Sequence, residues 1–142
     1  MNAPAAPARP STARRLAPPL AALTAVALPV LYVAAVDPGT PGRYPVCPFH
    51  QATGWWCPGC GGLRCVHALT HGHPVQALHD NLLAVLACTA AALLWARWTA
   101  AALGPRPFRP PVLRGRHAAA TIAALIAFTV LRNLPAGAWL AP

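Results

Sequence analysis

Along this chain the apolar positions gather into three blocks, separated by stretches rich in proline, cysteine or arginine. Leu16 to Val36 runs twenty-one residues without a charge. At about 1.5 Å per residue, a helix of that length crosses a hydrocarbon core of about 30 Å. Pro18 and Pro19 fit its first turn, where a missing N–H costs little, and Pro29 predicts a kink. Asn81 to Leu103 is a second block of twenty-three residues, broken only by Arg97. An arginine near a helix end can snorkel to the headgroups, and Trp95 and Trp98 beside it suit an interfacial belt. The third block, Ala118 to Leu131, has fourteen residues. As a helix that is only about 21 Å long, so a span there has to recruit its flanks over residues 117–134 or thin the bilayer. It shows no polar face for water, which favours a span over a surface helix.

The stretches between the blocks complete the expected organisation. Residues 1–15 are rich in alanine and proline and carry Arg9, Arg14 and Arg15, a composition that buries nothing and predicts a disordered cytoplasmic tail. Residues 16–142 form a single membrane domain with spans at about 16–36, 81–103 and 117–134. The loop between the first two spans holds the cysteine motif within residues 44–72, and a short interfacial helix with Leu63, Val66 and Leu69 toward lipid lies between the C-x-x-C and the second span. Asp80-Asn81 reads as a polar boundary or N-cap before the second span. The fold class is therefore an all-α integral membrane protein with three transmembrane helices. A cleaved signal peptide is the rival reading of the first block, since basic residues precede it and Val33-Ala34-Ala35 offers small side chains near its end. The run exceeds a usual h-region, which favours a retained span.

Composition agrees with this organisation. Of 142 residues, 56% are hydrophobic and 9% charged, too little polar surface for a soluble domain of this size. All eleven basic residues are arginine and the only acids are Asp37 and Asp80, for a net charge of +9. The arginines flank apolar segments and form no basic helix interleaved with aromatics, so the partner they imply is the lipid bilayer and not nucleic acid. Their placement also orients the chain. The tail and the link with Arg106, Arg109, Arg114 and Arg116 belong in the cytoplasm by the positive-inside bias. The loop from Asp37 to Asp80 has only Arg43 and Arg64 against two acids, which puts it on the extracytoplasmic side of the cell membrane. Disulfides persist there.

Chemistry is concentrated between Cys47 and Arg64. Cys57-Pro58-Gly59-Cys60 is a C-x-x-C, a spacing that lets two sulfurs share a metal ion or close a tight disulfide. Pro58 has φ preset for a first helical turn, and a thiol at a helix N-terminus has a lowered pKa, so Cys57 and Cys60 are the candidate reactive or liganding sulfurs. Cys47, also followed by proline, lies ten residues upstream, where a fold-back would add it as a third member. For a zinc site the sequence offers Cys65, His50, His67, His71 and His73 as fourth ligands, and nothing in the spacing selects one. Disulfide, metal and redox-active pair all remain open. Cys88 and Cys65 read as apolar fillers, and the histidines as residues of an interfacial segment.

The run Cys47-Pro48, Thr53-Gly54, Cys57-Pro58-Gly59-Cys60-Gly61 and Arg64, followed by His67-Ala68-Leu69, His71-Gly72 and Asn81-Leu82-Leu83, resembles the bacterial membrane proteins grouped as domain of unknown function 2752. The resemblance covers roughly residues 44–90, with Arg132-Asn133-Leu134-Pro135 as an echo near the C-terminus. It implies an integral membrane protein and supplies no substrate. Its pattern falls on Cys47, Cys57, Cys60, Gly61 and Arg64. No catalytic constellation accompanies the cysteines, since no carboxylate is placed to orient a Cys-His pair. The first reading is a non-enzymatic accessory or scaffold protein whose loop is fixed by a disulfide or a metal such as zinc, working beside another membrane protein. The competing reading is a thiol-redox or soft-metal handling protein that uses Cys57 and Cys60.

Overall fold

The apolar blocks become helices that run past their sequence limits at one end or both. A computed structural model describes residues 11–105, 108–112 and 115–142, and among these every regular element is helical, with no strand. In chain order they are α1 (Thr12–Ala35), α2 (Pro48–Thr53), α3 (Gly62–Thr70), α4 (Pro74–Leu103), α5 (Gly115–Arg132) and a C-terminal 3₁₀ helix (Pro135–Leu140).

Helix α1 starts at Thr12, inside the expected disordered tail. Two contacts order residues 12–15. The Ser11 side chain accepts the Arg14 N–H at 3.4 Å as an N-cap. The Arg15 guanidinium donates to the Ala101 carbonyl at 2.7 Å and to the Gly104 carbonyl, at the end of α4, where unsatisfied carbonyls and the helix dipole favour a cation. Residues 1–10 of the expected tail lie outside the described residues. The early start moves Pro18 and Pro19 beyond the first turn, and the helix runs unbroken through them and through Pro29.

Helices α1 and α4 pack antiparallel. Near the start of α1, Trp95 Nε1 of α4 donates to the Pro19 carbonyl at 2.9 Å; at its far end, His67 Nδ1 of α3 lies 2.8 Å from the Val33 carbonyl. Helix α4 is two pieces, residues 74–80 and 82–103, joined at Asn81, whose backbone is extended at φ −166° and ψ 100°. Asn81 Oδ1 accepts the Ala84 N–H at 2.9 Å, so the second piece has the N-cap expected at this boundary. The first piece turns back on α3, and Cys65, Ala68 and Ala77 pack there without exposed surface to speak of.

Most large apolar side chains face outward. Leu20, Leu28 and Leu31 of α1, Leu86 and Leu93 of α4, and Ile122 and Ile126 of α5 are all exposed. Helices α1 and α4 are long and apolar enough to cross a membrane, and only 11% and 17% of their most apolar windows are buried, unlike the core helices of a soluble protein. Helix α5 does not join them by that measure. It spans 18 residues, its positions 115–127 are exposed throughout, and it is fastened to the rest of the chain through its C-terminal end.

Candidate metal centre

The cysteine segment is a short helix, a two-tryptophan link and a tight turn. Cys47 is the N-cap residue of α2, with Pro48 in the first helical position. Gly54 ends α2 at φ 70°, and after Trp55-Trp56 the chain turns at 57–60, closed by the Cys60 N–H to the Cys57 carbonyl at 3.1 Å. Gly61, at φ 81°, then turns the chain into α3. A Cβ on Gly61 would collide with the Asp80 carbonyl oxygen and lie 2.8 Å from Pro142 Cβ, so glycine is required twice over, by backbone angle and by close approach.

This placement corrects the expectation that Pro58 opens a helix with Cys57 and Cys60 in its first turn. Both thiols precede α3, and Gly61 stands between them and its first residue. The Cys60 thiol is pushed up to about 12, by burial first and then by its hydrogen bond with Cys57. Cys47 is the thiol drawn below its ordinary pKa. The backbone N–H of His50 is the main cause, partial burial opposes it, and the neighbouring sulfurs of Cys57 and Cys60 assist, although no side-chain capping hydrogen bond forms.

The three sulfurs meet. Cys57 Sγ lies 2.9 Å from Cys60 Sγ and 3.6 Å from Cys47 Sγ, and all three sulfurs lie within 4.8 Å of one another. The Cys57 N–H donates to Cys60 Sγ at 3.2 Å, a contact that favours negative charge on that sulfur. Three cysteine sulfurs gathered this closely could share a single thiophilic ion such as zinc. Beside them opens a cleft of about 380 Å³ whose lining includes Cys47, Cys60, His50, Tyr44, Trp56 and Arg64.

Side chains from distant parts of the sequence hold the turn by its backbone. Asn81 Nδ2 donates to the Pro58 carbonyl at 2.9 Å and the Cys60 carbonyl at 3.0 Å. Arg132 Nη1 donates to the Cys57 carbonyl at 2.8 Å and the Cys60 carbonyl at 3.2 Å, while Nη2 donates to the Leu140 carbonyl at 2.9 Å. Asn133 pairs with the backbone of Trp56 in both directions, accepting its N–H at 2.8 Å and donating to its carbonyl at 2.9 Å. Trp56 in turn stacks on His50, with ring centroids 4.0 Å apart. Sequence reasoning placed Arg132 on the flank of a span and missed its role here. The signal was the echo Arg132-Asn133-Leu134-Pro135.

The other candidate ligands lie elsewhere. Among the described residues no histidine joins the sulfur group. His50 Nδ1 is 3.1 Å from the Trp55 carbonyl, His71 Nδ1 is 2.9 Å from the His67 carbonyl, and the rings of His67 and His71 stand 4.3 Å apart, a tie between helix turns. Cys65 is buried between α3 and α4 with its thiol pushed up to about 11 by burial, as suits an unreactive filler. Arg64 is exposed on α3 at the rim of the cleft.

Residues 47–95 match a family described as Protein of unknown function (DUF2752), which bears out the resemblance to that family. The matched segment holds the three cysteines, α3 and Asn81; Arg132 and Asn133 lie beyond it. No curated protein and no solved structure matches the chain.

Proposed function

We propose that this chain, whose residues 47–95 carry the segment of that family, is a small integral membrane protein in which Cys47, Cys57 and Cys60 hold one thiophilic ion of the zinc kind. The ion fixes the loop to the ends of the membrane helices, and the role is that of a non-enzymatic accessory or scaffold. The observation that carries this reading is the meeting of three sulfurs, two from one turn and one from a helix cap ten residues upstream. A disulfide uses two sulfurs and leaves the third idle, whereas a metal uses all three. The open cleft beside Cys47 and Cys60 favours a second reading, soft-metal handling, because a purely structural zinc site is normally closed by four protein ligands.

Helices α1 and α4 cross the bilayer in this proposal, and α5 with its flanks forms the third span of a single membrane domain. What supports the orientation is the distribution of charge: Arg14, Arg15 and Arg97 gather where α1 begins and α4 ends, and the cysteines lie at the opposite end of the pair. The N-terminus is then cytoplasmic and the cysteine loop extracytoplasmic. The lipid bilayer is the main partner, and the exposed face of α5 suits contact with another membrane protein.

Metal analysis of the protein purified in mild detergent, with thiols counted before and after reduction, tests the centre. Near-stoichiometric zinc with three thiols protected until a chelator is added is expected; one protected pair without metal would replace the metal by a disulfide. A membrane-impermeant maleimide tests orientation: it should label the reduced, metal-stripped loop in intact cells, and labelling only after lysis reverses the topology.

A further inference from the structure

Arg132 is 1% exposed, yet the hydrogen-bond partners of its guanidinium are backbone carbonyls and not carboxylates. The acidic side chains of the sequence are Asp37 and Asp80, and among the described residues neither pairs with it. Its Nη atoms are spent on three backbone carbonyls, its Nε is buried without a partner, and its guanidinium lies 4.9 Å from the Phe128 ring centroid. Carbonyl dipoles and an aromatic face soften the cost of burying a cation but do not neutralise it. The guanidinium also does not snorkel outward; it is held against the carbonyls of Cys57 and Cys60, the two residues that supply the paired sulfurs.

Charge explains the arrangement if the sulfurs work as thiolates. Three thiolates around a divalent ion leave one net negative charge, matching the single positive charge of the arginine. A disulfide or a set of protonated thiols leaves none. Resting on the metal reading above, we infer that Arg132 is the counter-ion and positioning residue of an anionic metal–thiolate centre, and that through it the occupancy of the centre governs the docking of the C-terminal segment. The connection to the C-terminus is direct. The same guanidinium that grips the cysteine turn binds the Leu140 carbonyl, and Asn133, its neighbour, pairs with Trp56. Positions 115–127 of helix α5 are exposed, and its buried residues, Phe128 and Arg132, lie in the stretch that these contacts hold. An empty or oxidised centre therefore leaves a buried cation uncompensated and loosens the chain at 128–140.

The test titrates Cd2+ into the reduced full chain in mild detergent against a competing chelator, reading thiolate-to-cadmium absorption. Arg132→Gln keeps a donor but removes the charge, and its affinity should fall about 10–100-fold. Arg132→Lys keeps the charge with fewer donors and should stay much closer to the wild type. Asn133→Ala removes hydrogen bonds to the same loop without touching charge; it should lower the melting temperature with a far smaller change in affinity. Equal losses in the Gln and Lys variants would make Arg132 a hydrogen-bonding clamp and overturn the inference while leaving the metal reading intact. Failure of the wild type to bind Cd2+ sinks both, and it shows before any variant is made. If the Gln variant does not accumulate, hydrogen exchange on the wild type decides. Residues 128–140 should exchange most slowly with Cd2+ bound, and faster when apo or oxidised with diamide. Equal protection in the diamide-oxidised and Cd2+ states would overturn the proposal.

Discussion

At one end of the α1 and α4 pair, Arg15 donates to the Ala101 and Gly104 carbonyls and Trp95 to the Pro19 carbonyl. At the other, Asn81, Arg132 and Asn133 converge on the backbone of residues 56–60. Both ends use side chains to satisfy backbone groups, but the settings differ. Arg15 is half-buried and serves carbonyls that a helix end leaves free, and the helix dipole already favours a cation there. Asn81 and Arg132 are each 1% exposed and serve a turn whose carbonyls have little water to turn to. The first end is a tether, and the second is a built site. Removing a group from the second should cost far more, and the following variants measure how far that contrast holds.

The largest effect is expected from Cys57→Ser or Cys60→Ser. Each breaks the sulfur group, so metal retention should vanish and the loop should lose several kcal/mol, in the range of a lost zinc site or disulfide. Loss of bound metal and of melting temperature should appear together. A variant that kept both its metal and its melting behaviour would remove the distinction between the two ends. Gly61→Ala comes next. It forces a left-handed residue against the Asp80 carbonyl and Pro142, and should cost about 2–4 kcal/mol by strain and clash. Thermal melting in detergent reads it, and the sulfurs being untouched, added zinc should restore part of the loss.

Asn81→Ala separates two contributions. It leaves the Ala84 N–H uncapped and deprives the Pro58 and Cys60 carbonyls of a donor, together worth about 1–3 kcal/mol. Arg132 still holds Cys60, so metal affinity should weaken less than stability. A fall in affinity as large as that of a cysteine variant would mean that Asn81, not the sulfurs' own convergence, sets the geometry of the turn.

How much of this was legible in the sequence follows the same contrast. Helix α1 and the longer piece of α4 were, because a long apolar run with at most one charge needs no tertiary context to declare itself, and the Asn81 cap was, because a polar residue at the start of such a run has few other uses. The meeting of Cys47 with Cys57 and Cys60 was also within reach, since two Cys-Pro steps ten residues apart invite a fold-back. The helix start after Gly61 was not: Pro58 suits position one of a helix and position two of a turn equally well, and only the packing of Gly61 on Asp80 decides. Arg132 was the least legible. An arginine closing an apolar run looks the same whether its guanidinium reaches outward to headgroups or inward to carbonyls, and the choice depends on a turn seventy-five residues away. Residues 12–15 were hidden for the same reason, since their order rests on carbonyls at the far end of α4.

The smallest effect, and the sharpest control, belongs to Arg15→Ala. It removes two hydrogen bonds to the last turn of α4, but those carbonyls lie at the edge of the fold, where water or headgroups can replace the donor. Screening at such a site keeps the loss below about 1 kcal/mol. The α1 N-terminus should fray, visible as faster hydrogen exchange at residues 12–18, while metal content and exchange around the cysteine turn stay at wild-type values. The reason is distance: α1 and α4 run antiparallel, so Arg15 and the sulfurs stand at opposite ends of the pair. Should Arg15→Ala release the metal, the two ends would be coupled along α4 through Asn81, and the tether would have to be counted as part of the site.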